Sequence, residues 1–177
     1  TKPSLRESVL AITIVNHPEL LLEEYDEIAA IDYENRDLQR LWSTVLTFAA
    51  ESAADISRAG LIERLSLQGF EVLLKTMDQQ VRNARLWTAT EQAAMEDARE
   101  GYVQALSLHK RTKSLLWQKR ELEREIAEAT DDERGTLLVR ALAEVQLEIG
   151  RMENQEAIID GFGVMSGRVK GPAFGHG

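Results

Sequence analysis

The chain carries His17, His109 and His176 and no cysteine, so metal or nucleophilic chemistry would have to come from three imidazoles and carboxylates. Zinc sites need His, Cys or carboxylate ligands at short, fixed spacings. The three histidines are far apart, and no HExxH or Glu-x-x-His pair occurs. His17 sits in NHP, where a polar capping role at a helix corner is expected. His109 lies in HKRTK, where a solvated or hinge position is expected. Between Glu19 and Asp37, Glu23, Glu24, Asp26, Glu27, Asp32 and Glu34 could pair as metal ligands, but they read better as a solvated helix face. Gly161, Gly163 and Gly167 do not match the G-x-G-x-x-G phosphate loop, which must also lie between a strand and a helix. The residues therefore give no catalytic, cofactor-binding or metal site.

One cluster opposes the overall charge of −9: Lys110, Arg111, Lys113, Lys119 and Arg120, with Trp117 among them. Basic residues interleaved with an aromatic can track a nucleic-acid strand. The same residues also suit a solvated helix whose cations pair with Glu121, Glu123 and Glu125, or a protein-binding face anchored by Trp and Arg. The acidic total disfavours non-specific binding to nucleic acid or anionic membrane.

The 177 residues suffice for one domain with an appendage, and 44% hydrophobic against 29% charged residues is a globular balance. The absence of Cys fits a reducing compartment. No apolar run approaches the roughly 18 residues that span a bilayer, and no signal peptide is visible, so a cytoplasmic protein is expected. The chain opens on Thr rather than Met, as expected of a segment cut from a longer protein.

The elements read almost entirely as helix. Ser4 and Glu7 have capping-box spacing ahead of an apolar run, and Pro18 opens PELLLEEYDEIAAI as a single helical stretch. Asn35 is a predicted N-cap for a helix burying Leu38, Leu41, Trp42, Val45, Leu46 and Ala49. Shorter helices around Leu61–Leu67 and Phe70–Val81, separated by Gly69, add Leu65, Phe70, Leu73, Leu74, Met77 and Val81 to the core. Thr88 and Glu91 form a second capping box, predicting one helix from Thr88 to near Thr130. At 1.5 Å per residue it would be about 60 Å long, more than the diameter of about 40 Å expected for the whole domain. Thr130 and Glu133 form a third box after a tight turn. The return helix, to about Ile158, would set Leu138 against Leu122 and Val145 against Leu115. The expected fold is all-α: a helical bundle over 1–108, an antiparallel helical hairpin over 109–160, and a Gly-rich flexible tail over 161–177. Such a hairpin exposes both outer faces, so an interaction module is a better reading than an enzyme.

The wording of these pieces resembles a known family. The opening RESVLAITIVNHPELLLEEYDEIAAIDYENRDLQRLW is similar to the start of the C-terminal domain of bacterial replicative primase of the DnaG type, with its N-x-P-E-L corner. The closing WQKRELEREIAEATDDERGTLLVRALAEVQLEI resembles that domain's terminal hairpin. The likeness covers residues 5 to 158. It implies a helicase-binding domain that docks on the N-terminal domains of the hexameric replicative helicase (DnaB type) and couples RNA primer synthesis to the replication fork. The parent would be a DNA-directed RNA polymerase, with zinc and magnesium confined to upstream domains. No cofactor is expected in this chain.

The resemblance places helicase attachment on the hairpin, and hence on Leu116, Trp117, Arg120, Glu121 and Arg124 outbound and Arg134, Leu137, Arg140 and Glu144 on the return. The Glu23–Glu27 face of the bundle would carry stimulating contacts. Gly101 and the patch His109, Lys110, Arg111 and Lys113 are expected hinge positions, and exchange of the long helix between copies would give a domain-swapped homodimer. Two rivals stand beside this reading: a module like the helicase N-terminal domain, and a nucleic-acid-binding hairpin. The tail beyond Gly161 departs from the family pattern.

Overall fold

The computed structural model describes the backbone of residues 1–162 and the side chains of residues 1–155. Regular structure among them is entirely helical: α1 Leu5–Asn16, α2 Glu19–Glu23, α3 Tyr25–Ala29, α4 Arg36–Ser52, α5 Arg58–Leu67, α6 Glu71–Asn83, α7 Met95–Glu128 and α8 Asp132–Phe162, with two short 3-10 turns. The expected all-α fold is what forms. The expected tail lies outside the described residues beyond Phe162.

α1 is mostly apolar from Val9 to Val15 and buried on nearly every side, so it becomes the central rod of the bundle. Leu10, Ala11, Ile14 and Val15 are fully buried, and α5, α6 and α7 pack around them. Each large aliphatic side chain removed from water contributes about 2 kcal/mol. The polar groups that α1 carries inward are paired. Ser8 donates to Gln80 at 2.6 Å, and Gln80 donates to the Pro3 carbonyl at 2.9 Å. Asn16 donates to the Ala89 carbonyl at 2.8 Å and accepts from Arg58 Nε at 3.0 Å.

Asn35 caps α4 by accepting the Leu38 N–H at 2.9 Å, and Leu38, Leu41, Trp42, Val45 and Ala49 form its buried stripe. Gly69 turns the chain into α6 with φ +90°, a conformation that costs a Cβ-bearing residue. Leu65, Phe70, Leu74, Met77 and Val81 are buried beside it.

Four expectations are corrected. PELLLEEYDEIAAI is broken at Glu24 (φ −134°, ψ 40°) into α2 and α3. Glu19, Glu23, Glu24, Asp26 and Glu27 would repel one another at three- and four-residue steps in a single helix. In the first capping box Ser4 does accept the Glu7 N–H, but the Glu7 carboxylate crosses to the backbone N–H of Glu34. Thr88 and Glu91 do not open the long helix. Thr88 lies at a 3-10 turn, Glu91 pairs with Arg82 at 2.9 Å, and α7 starts at Met95 behind an extended Ala94. The third box is replaced by Asp131, whose side chain accepts the Glu133 N–H at 3.1 Å.

Beginning at Met95, α7 has 34 residues and a length of about 50 Å. Ala98, Tyr102, Leu106 and His109 are its buried residues, so the bundle holds only its first half.

Candidate interaction surface

The second half of α7 and the described part of α8 lie side by side. Arg134 pairs with Glu125 at 3.3 Å near the tip, and Arg111 pairs with Glu148 toward the root. The two pairs are fourteen residues apart on each helix, two heptads, and their order runs oppositely along the two, which identifies antiparallel helices sharing one seam. Leu115, Leu122, Leu138 and Val145 lie between them, all half-buried. At the root, α1, α7 and α8 enclose an apolar groove of about 560 Å³ walled by Leu5, Val9, Leu108, Leu115, Ile149 and Met152.

The residues expected to bind a partner fall into separate groups. Leu116 lines the groove rather than the outer surface. Trp117, 57% exposed, shares an outward face of α7 with Glu121 and Arg124, at steps of three and four. Arg124 bonds Glu121 at 2.8 Å and Glu128 at 3.2 Å, and those bonds raise its already high pKa. Arg120 is exposed and, like Lys119, makes no ion pair among the described residues. Arg134 is committed to the seam through Glu125. Leu137, Arg140 and Glu144 share one outward stripe of α8 with Leu147, which is 58% exposed and was absent from the expected set. Its apolar type gave a signal, but three- and four-residue apolar steps on α8 point first to the buried seam. Val139 is a further exposed apolar residue near the tip.

The basic cluster is divided by the fold. Lys110 faces Glu27 at 3.9 Å, Lys113 reaches Asp32 at 3.1 Å and Arg111 holds Glu148. Their partners come from the acidic stretch and α8, not from Glu121, Glu123 and Glu125. The acidic stretch is accordingly docked along α7. Arg99 bonds Glu23 through two nitrogens, each at 2.7 Å, and lowers the Glu23 pKa. Tyr102 donates its hydroxyl to Glu27 at 2.6 Å; its burial and the Glu27 charge raise the phenol pKa further.

Neither named hinge interrupts the helix: α7 is continuous through Gly101 and through 109–113. Gly101 has a packing role, because a Cβ there would stand 2.7 Å from the Thr88 hydroxyl. His109 is corrected from a solvated position to a buried one, 2% exposed. Arg6 Nε–H points to its Nδ1 at 3.4 Å, and its Nε2 lies 3.0 Å from the Asp32 carbonyl. Burial is the main cause of its lowered pKa. His17 is also buried and bonds the Thr90 carbonyl through Nε2 at 2.8 Å. No three His, Asp or Glu residues among those described converge as metal ligands.

No protein-family model, curated protein or solved structure matches this chain. The surface must therefore be read from its own geometry. It offers an extended pair of helices with Trp117, Leu137, Val139 and Leu147 outside the seam, interspersed with charge. Exposed aromatic and aliphatic anchors with arginines around them are the composition of a protein-binding face.

Proposed function

We propose that this chain is a helicase-binding domain of a bacterial DnaG-type replicative primase, acting at the replication fork in the cytoplasm. In this reading the hairpin docks on the N-terminal domains of the hexameric helicase, and the bundle supplies a second contact through the Glu23–Glu27 face, where Glu24 and Asp26 stay exposed while Glu23 and Glu27 are held by α7. The observation that carries the reading is α7 itself: one helix is bundle core through His109 and then one arm of a projecting hairpin. Such a hairpin gains little stability from its outer faces, and its apolar residues there are most economically used on a partner. The order of elements supports the likeness noted in the sequence, from the helix ending at Asn16 to the terminal hairpin.

The nucleic-acid reading is weaker, since Lys110, Arg111 and Lys113 are already paired with carboxylates. A binding titration against the replicative helicase of the same organism tests the proposal. The intact chain is compared with Trp117→Ala/Leu137→Ala/Leu147→Ala. Binding by the intact chain, weakened about tenfold or more in the variant, is expected if these residues anchor the contact. Equal binding by both would move the site to the bundle. Absence of helicase binding, with steeply salt-dependent binding of single-stranded DNA instead, would replace the reading with the nucleic-acid one.

A further inference from the structure

The bundle hands α7 over to the hairpin at a small polar junction. His109 is the last residue of α7 that is buried. Its ring leans on the ring of Tyr33, with centroids 5.8 Å apart. The side chain of Arg6, only 9% exposed, approaches from α1; Asp32 and Glu34 approach from the connection between α3 and α4; Lys113 follows one turn later on α7. Glu7 accepts the Glu34 N–H, and Glu153 of α8 lines the groove that also holds Arg6 and Glu34.

The hydrogen-bond partners determine the state of the imidazole. A guanidinium N–H can only donate, and a carbonyl can only accept. Nδ1 therefore carries a lone pair toward Arg6, and Nε2 carries the proton toward Asp32. The ring is neutral, and it ties α1 to the α3–α4 connection across the root of the hairpin. Protonating Nδ1 would turn one N–H toward another and place a third cation beside Arg6 and Lys113. The anions nearby are engaged: Glu34 with Arg6 at 3.4 Å, Asp32 with Lys113 at 3.1 Å, and Glu7 with the Glu34 N–H.

We infer that His109 is a proton-sensitive latch: its neutral ring holds the root of the hairpin to α1 through Arg6, and protonation of Nδ1 breaks that hold while the Nε2–H bond to Asp32 stays, which frees the hairpin's angle to α1. The inference is independent of the helicase reading, because both its parts belong to this chain.

The chain has no cysteine, so spin labels can be placed cleanly at Ser43→Cys on α4 and Thr130→Cys at the tip, both exposed positions. Distances between them are measured by pulsed electron resonance at pH 8 and at pH 5. One narrow distance at pH 8 and a broadened or displaced distribution at pH 5 are expected. His109→Gln keeps an acceptor for Arg6 and a donor for Asp32 without a titrating group, so its narrow distance should persist at both values. An unchanged distribution in the histidine protein would overturn the latch. So would an equal change in His109→Gln, which would assign the acid response to carboxylates such as Glu7. Independently, imidazole NMR of the unsubstituted chain should show the Nε2–H tautomer of His109, titrating below the ordinary histidine range. Titration at or above that range would also overturn the latch.

Discussion

Asn16 on α1 donates its side-chain amide to the carbonyl of Ala89 at 2.8 Å, across seventy-three residues of chain. The same side chain accepts from Arg58 on α5, so one buried amide ties three parts of the bundle. Asn16→Ala leaves a buried carbonyl without its donor. A loss of about 2 kcal/mol is expected by urea denaturation, with no change in helix content. A loss near zero would mean that Arg58 or solvent can replace the amide.

Tyr102 joins α7 to α3 through Glu27, and its ring is part of the core. Tyr102→Phe keeps the ring and removes the bond. Glu27 is partly exposed and stays solvated, so the expected cost is only about 1 kcal/mol. Tyr102→Ala should cost about 3 kcal/mol or more, because it also empties the ring's site. Comparing the two midpoints separates the bond from the packing.

Gly101→Ala sets two effects against each other. Alanine favours the helix by about 1 kcal/mol, but its Cβ would meet the Thr88 hydroxyl at 2.7 Å. The clash should dominate, making Gly101→Ala destabilising in the native background. After Thr88→Ala removes the hydroxyl, Gly101→Ala should become stabilising, with a coupling of about 1 kcal/mol in the double-mutant cycle. Additive single effects would refute the close approach.

The folded chain should lose stability on mild acidification through His109. Its pKa is lowered by folding, so its contribution is complete above the unfolded value of about 6.5 and is lost as pH falls through the folded value. Glu7 has the opposite sign. Burial raises its pKa, so the folded state takes up a proton more readily and Glu7 offsets part of the loss further into acid. Urea midpoints measured from pH 8 to pH 5 should fall more steeply in the native chain than in His109→Gln. Equal slopes would remove His109 as the cause.

Much of the fold was legible because its local signals and its tertiary contacts agree. The stripe on α4, the Asn35 cap and the Gly69 turn each serve the structure as their spacing implies. The errors fall where a side chain with a local option takes a distant one. Glu7 was within reach of its own helix end but caps the approach to α4, and Glu91 pairs with Arg82 instead of opening a helix. The same holds for the surface. Lys110 and Lys113 found acids from 27 and 32, more than seventy residues earlier, which no helical spacing could reveal. Trp117 and Leu137 could be singled out from residue type, whereas the inward placement of Leu116 needed the groove.

The continuity of α7 past His109 makes the hairpin a lever with its fulcrum at one side chain. Residues 109 to 128 rise about 28 Å, so a tilt of about 10° at the root would displace the tip by about 5 Å, roughly one helical pitch. In a hairpin released at His109, a sub-ångström adjustment around Arg6 would thereby be magnified into a change of register for anything gripping the far end.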